Sequence, residues 1–283
     1  MLILLNVILV GLVALIAYWW ANQGAFSAFL HMLCVIVAGA ITLAVWEPLV
    51  VNFVLKGGGF DDYAWGIVLI GVFTITLFIL RFALDKLIPD NLNTPTWANY
   101  AFGGLFGAIA GVITIGMFMI GAGFLQTSTE IMGFVGVARA TSAPCQPVKL
   151  NVLYPPLHEW TEEFYAFVSD GALSPMFSPV SMRNAYPELA NQAISLHRDS
   201  YSDGGGKTSV SPGAVRVEGF VECDECQIDG VRGKGVYGVL LQFDKSAFDF
   251  GEQLTLSNAQ ARLIGTGDAW REAPVAYPYA WYQ

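Results

Sequence analysis

For its first 125 residues the chain alternates long apolar runs with short polar breaks, and after that the pattern becomes mixed. A helix rising ~1.5 Å per residue needs ~20 apolar residues to cross a ~30 Å hydrocarbon core. Four stretches reach that length. The first, 2–21, carries no charge. Asn6 interrupts it once before Tyr18, Trp19 and Trp20 arrive where an interfacial aromatic belt would place them. No Lys or Arg precedes this run, and it exceeds the ~7–15-residue apolar core of a cleaved signal, so it is expected to stay in the chain. The second span, 25–46, is expected to stop at Glu47-Pro48, because proline lacks a backbone donor and disfavours helix in the residue before it. Residues 49–55 are then too short to cross and should lie at the interface. The third span, 65–84, has Arg81 near enough to its end to snorkel. It sits between a glycine- and acid-bearing turn (56–62) and a loop with Pro89, Asn91, Asn93 and Pro95. The fourth is 98–125.

Beyond residue 125, 126–138 can continue as an interfacial helix, and 141–156, with Pro144, Pro147, Pro155 and Pro156, reads as an extended linker. Residues 158–169 put Trp160, Phe164 and Phe167 on one helical stripe, expected to face a core. A further short helix is expected within 174–193. From 214 the period becomes two. A strand over 215–221 carries a bulge at Gly219, a second covers 236–243, and short ones are expected at 254–256 and 261–264. The aromatic end, 276–283, either tucks onto that sheet or serves as a partner-binding tail. The expected fold class is therefore a membrane all-α four-helix bundle (1–125), an interfacial segment and proline-rich linker (126–156), and a small, β-rich α+β soluble C-terminal domain (157–283).

Composition sharpens this picture. Hydrophobic residues make up 54% of the 283 and charged residues 13%, about half the ~25% usual in a soluble chain, which excludes disorder and an ordinary soluble domain. Residues 1–125 hold three cations and five acids, and the remainder holds 11 cations and 18 acids, a net charge of −7. A negative tail has no basic footprint for nucleic acid. The positive-inside rule is tied: Arg81 and Lys86 flank the first and third loops, Lys56 and Arg139 the second loop and the tail.

Candidate chemistry is sparse. His31 and Cys34 lie three apart on one face of the second span, open to a metal or proton-relay role. His31 is close enough to the helix start to reach headgroups or water, and that plainer reading is preferred. Gly206-Lys207-Thr208 lacks the spacing of a phosphate loop, because Tyr201 stands where a glycine is required. Cys223-Asp224-Glu225-Cys226 leaves three options open: a structural disulfide (within the motif or to Cys145), ordinary thiols, or metal and redox chemistry. A zinc site would need two more ligands from Cys145, His158 and His197, and the two flanking acids would raise the thiol pKa values. The disulfide is favoured if the tail lies in an oxidising compartment. No nucleophile–base grouping is readable, so neither an enzyme nor a cofactor is expected. In the fourth span Gly103, Gly107 and Gly111 recur every four residues, a small-xxx-small face for close packing within the bundle or in a homo-oligomer, or alternatively the lining of a narrow path.

The run Phe102-Gly103-Gly104-Leu105-Phe106-Gly107-Ala108-Ile109-Ala110-Gly111 resembles the last membrane span of the colicin V production (CvpA) family, in which an acidic residue precedes a G-x-x-F-G-x-x-R-G stretch. Gly103, Phe106, Gly107 and Gly111 match that pattern, while Asn99 stands at the acidic position and Ala110 at the arginine. The resemblance implies a multi-pass protein of the bacterial inner membrane with a periplasmic tail, involved in toxin production or export and envelope homeostasis. The expectation is a non-catalytic scaffold or secretion accessory surrounded by the lipid bilayer, with a protein partner on its C-terminal domain. A small transporter or channel component, and a membrane-tethered thiol or metal enzyme centred on Cys223 and Cys226, are the alternatives.

Overall fold

The four apolar segments form four long helices: α1 (Leu2–Gln23), α2 (Ala25–Leu49), α3 (Asp61–Leu87) and α4 (Thr96–Gly123). Each is long and apolar enough to cross a membrane. The computed structural model describes residues 1–55, 60–88, 95–125, 130–139, 147–170, 182–186, 189–191, 193, 212–223, 236–248, 263–264 and 275–276.

Adjacent helices run in opposite directions. Gly24, at φ 96°, reverses the chain between α1 and α2 with a backbone that side-chain-bearing residues rarely adopt. Asn99 Oδ1 accepts the Ala25 N–H at 3.1 Å, satisfying a first-turn donor of α2 and tying its start to that of α4. Gly103, Gly107 and Gly111 of α4 lie beside Ala21, Ala17 and Val13 of α1, so the first and last spans are antiparallel neighbours. Gly66 and Gly121 bring the start of α3 to the end of α4. α4 touches α1, α2 and α3, and the buried core gathers around it with Val35, Ala38, Leu69, Phe73, Met117 and Ile120.

The second span does not end at Glu47-Pro48. α2 continues to Leu49 and passes into a π-helical turn, Val50–Val54. The π turn lies after the proline, with Leu55 N–H donating to Val50 O, so it extends the helix beyond Pro48 and does not repair the bond the proline removes. Here Trp46 packs against Trp65, Phe124 and Tyr186, and Val50 is fully buried.

The stretch expected to be an interfacial helix is a turn followed by a strand wherever it is described. Ile131 and Phe134 exchange backbone hydrogen bonds, Met132 and Gly133 take φ of 50° and 84°, and β1 (Val137–Arg139) pairs antiparallel with β2 (Pro147–Lys149). Asn151 secures the turn. Its Oδ1 accepts the Val135 and Gly136 N–H groups at 3.0 and 2.9 Å, and its Nδ2 donates to Gly133 O at 2.8 Å.

α5 (Leu157–Ser169) then lies against α4. Its orientation corrects the sequence expectation. Of the expected stripe only Phe164 packs against the core, half-buried; Trp160 and Phe167 are exposed, whereas Leu157, His158, Thr161, Tyr165, Ala166 and Ser169 are buried. The groove that receives this helix presents glycines, which leave room for the Tyr165 ring, and backbone carbonyls, which accept from the Tyr165 and Thr161 hydroxyls. Two short helices come next, α6 (Met182–Ala185) and α7 (Leu189–Asn191). Glu162 accepts the Leu189 and Ala190 N–H groups at 2.7 and 3.0 Å, tying α7 to α5.

Further along, β3 (Val215–Cys223) and β4 (Val236–Phe243) form an antiparallel pair whose register shifts between Val217 and Gly219, the bulge read from the sequence. β5 (Leu263–Ile264) pairs with β6 (Val275–Ala276). The strand expected at 254–256 lies outside the described residues.

Candidate functional site

Three places concentrate polar or close-packed residues. The first is the glycine face of α4. A Cβ added at Gly107 would sit 2.8 Å from Trp20 Cβ and 3.0 Å from Ala17 Cα, and one at Gly103 would sit 3.0 Å from Trp20 O. Only glycine allows this approach of two backbones, which maximises van der Waals contact between helices that gain no hydrophobic drive in lipid. The position matching the family arginine, Ala110, is fully buried.

The second place lies where α1 meets α2 and α3 ends. The His31 ring stacks on Trp20 at 4.0 Å between centroids, and the Arg81 guanidinium stands 5.0 Å from the Trp20 ring centre. Arg81 donates to Ser27 O (3.3 Å) and Ser27 Oγ (2.8 Å) and pairs with Asp85 at 2.7 Å. The guanidinium is thus held by α2, by its own helix and by the α1 tryptophan. It joins three helices and leaves little of its donor fork to a ligand. His31 Nδ1 is buried without a hydrogen-bond partner in the structure, and Cys34 is a buried free thiol. No group of three or more His, Cys, Asp or Glu that could hold a metal occurs among the described residues.

The third place is the seat of α5. Tyr165 Oη donates toward Val35 O and Ile36 O of α2, at 3.2 and 3.1 Å, directly over Gly39. Thr161 Oγ1 reaches Val112 O of α4 at 3.4 Å and covers Gly116. Burial drives the Tyr165 phenol far above its ordinary range, so it acts only as a neutral donor. His158 is buried edge-on against Phe134. Its pKa falls from 6.5 to about 4, chiefly through burial, with Lys149 adding to the fall and Glu159 opposing it. Both imidazole and phenol are therefore neutral near pH 7, suited to packing and poorly suited to general base work.

The sequence did not single out Tyr165, Thr161 or Gly39, and read Gly116 only as prolonging the glycine content of the fourth span. The available signal was Gly39, a lone glycine in an apolar helix, and Gly116 beyond the repeat that ends at Gly111. The cysteine motif is only partly in view: Cys223 ends β3 opposite Val236, while Cys226 and Cys145 lie outside the described residues. The Gly206-Lys207-Thr208 loop and His197 lie outside them as well. Comparison of the chain with protein-family models, curated proteins and solved structures gives no match to any of them.

Proposed function

We propose that the protein is a non-catalytic membrane scaffold or secretion accessory of the colicin V production type, acting in toxin production or export and in envelope homeostasis. The observation that supports this reading is how the bundle uses its distinctive groups. The glycine face of α4 is filled by α1, and the one guanidinium in the described part of α3 clamps Trp20 and Ser27. A path through the bundle would need those small or charged groups free to face it. The four-span layout and the match of Gly103, Phe106, Gly107 and Gly111 supply the link to the family. On this reading the membrane is the bacterial inner membrane, both termini face the periplasm, and the residues beyond α7 form the water-facing unit that meets a protein partner. A disulfide within Cys223-Asp224-Glu225-Cys226, or from it to Cys145, then holds this unit in the oxidising compartment.

The test pairs flux with genetics. In proteoliposomes the protein should pass no ions or small solutes above empty vesicles. Loss of the gene should impair toxin secretion or tolerance of envelope stress, and both the intact chain and a Cys223→Ser/Cys226→Ser variant should restore it. Measurable flux would replace the scaffold with a transporter. Failure of the stably folded serine variant to complement would move the function to the thiols.

A further inference from the structure

The stretch from Leu150 through α5 lies beside the membrane helices within their length, not beyond their ends. Tyr154 N–H donates to Asn6 Oδ1 at 3.1 Å. Asn6 belongs to the α1 row Ile3–Asn6–Val10, whose two hydrophobic members are exposed, and α1 carries no charge anywhere along it. The uncharged Leu2–Gln23 helix is about 33 Å long, so its start marks one border of the hydrocarbon slab and Asn6 sits about 6 Å inside it. Because Gly111 faces Val13, the α1 start is level with the α4 end. Gly116, which α5 covers, is about 10 Å below that end.

The surface of this stretch is sorted to match. Over 150–154 the side chains alternate: Leu150, Val152 and Tyr154 face out, while Leu153 is fully buried. At 100° per residue the exposed arc of α5 divides in two. One edge carries Trp160 and Phe167, 47% and 74% exposed, while the neighbouring Phe164 is half-buried against the core. The other carries Glu159, Glu163 and Asp170. Of these, Glu159 pairs with Lys149 and Asp170 with Arg183. The outer arc of α5 thus sets an aromatic edge beside an acidic edge, the surface pattern of a helix in a membrane interface, while its inner face reaches Val112 O about 17 Å inside the apolar border.

We infer that residues 150–167 are an interfacial anchor whose partner is lipid: Leu150, Val152, Tyr154, Trp160 and Phe167 contact the headgroup–acyl boundary at the end of the bundle where α1 begins, while Glu159 and Glu163 stay in water. The lipid contact of α1 continues onto this stretch through the Asn6–Tyr154 bond. The inference rests on the four helices spanning a bilayer. It does not depend on the scaffold reading.

Nitroxide labels provide the test, placed singly by Tyr154→Cys, Phe167→Cys, Glu163→Cys and, as a hydrocarbon standard, Ile75→Cys of α3. The background has Cys145, Cys223 and Cys226 changed to Ser and keeps the buried Cys34. In phosphatidylcholine–phosphatidylglycerol vesicles, labels at 154 and 167 should relax more with oxygen than with a water-soluble nickel chelate, and the label at 163 should show the reverse. Nickel-dominated relaxation at 154 and 167, or inaccessibility to both reagents, would overturn the lipid contact by giving that face to water or to protein. A water-exposed label at 75 would instead refute the spanning helices, and the anchor with them. With all cysteines in place, lipid brominated near the headgroup should quench wild-type fluorescence more than that of Trp160→Phe. Equal quenching would count against the anchor.

Discussion

Gly39 and Gly11 look alike in sequence, each a single glycine in an apolar helix, yet the structure separates what a methyl group does at each. At Gly11 a Cβ meets nothing within 4 Å. At Gly39 it falls on the hydroxyl and Cζ of Tyr165 and 3.0 Å from Cε2. Both substitutions to Ala gain up to ~1 kcal/mol of helix propensity. Only Gly39→Ala overpacks, at a typical cost of ~1–3 kcal/mol. Displacing the phenol also forfeits its donation to Val35 and Ile36, worth about 1 kcal/mol net. Gly11→Ala should therefore be neutral or slightly stabilising. Gly39→Ala should lose about 1–3 kcal/mol net. Thermal unfolding in detergent micelles reads the difference, and trypsin cleavage after Lys149 and Arg183, which flank α5, reports its release. In a Tyr165→Leu background the penalty at Gly39 should shrink sharply, since coupled residues do not add. A Gly39→Ala protein as stable and as protease-resistant as Gly11→Ala would show that α5 does not sit in this groove.

Gly107→Leu must push α1 from α4, because the added carbons meet backbone and Cβ atoms that cannot swing aside; unchanged detergent stability and oligomeric state would refute that packing. Asn151→Ala leaves two N–H groups and a carbonyl without their partners and should cost about 1–3 kcal/mol, seen as faster amide exchange over 133–136; unaltered exchange would dismiss the clasp. For His158 the folded state favours the neutral ring, so the unfolded chain binds the proton more readily between pH 6.5 and about 4. Stability should fall as pH drops through that window, by an amount on the order of 3 kcal/mol at most, and His158→Leu should flatten the slope in a pH series of melting temperatures; an unchanged slope would remove His158 as its source.

The four spans were legible because an uncharged run of ~20 residues has few other destinations. The β3–β4 pairing and its bulge were legible from period-two alternation broken by one glycine. The passage of α2 beyond Pro48 was not, because Val50 and Trp46 find partners only once Trp65, Phe124 and Tyr186 are in place. The buried face of α5 escaped for a related reason. Hydrophobicity ranks Trp160 and Phe167 above Thr161 and Tyr165, yet the receiving groove is made of Gly39, Gly116 and helix carbonyls, which leave room for the Tyr165 ring and accept from both hydroxyls. A pattern along one helix cannot describe the surface that receives it. The Gly103, Gly107 and Gly111 repeat names a face stripped of side chains, but nothing local says that residues 13–21 fill it.

That pairing has a consequence for how the protein is made. Of the four described spans α1 leaves the ribosome first and α4 last, and the glycine face that receives α1 comes about 80 residues later. Until α4 is made the first helix has only α2 and the Arg81 contact from α3 to pack on, and α2 in turn lacks the surface on α4 that helps form the seat for α5. α2 and α3 can pair before α4 is made, but the docking of α1 and the seating of α5 must wait for α4. Chains ending before residue 96 should therefore be inserted with α1 undocked, and would be natural substrates for membrane quality control.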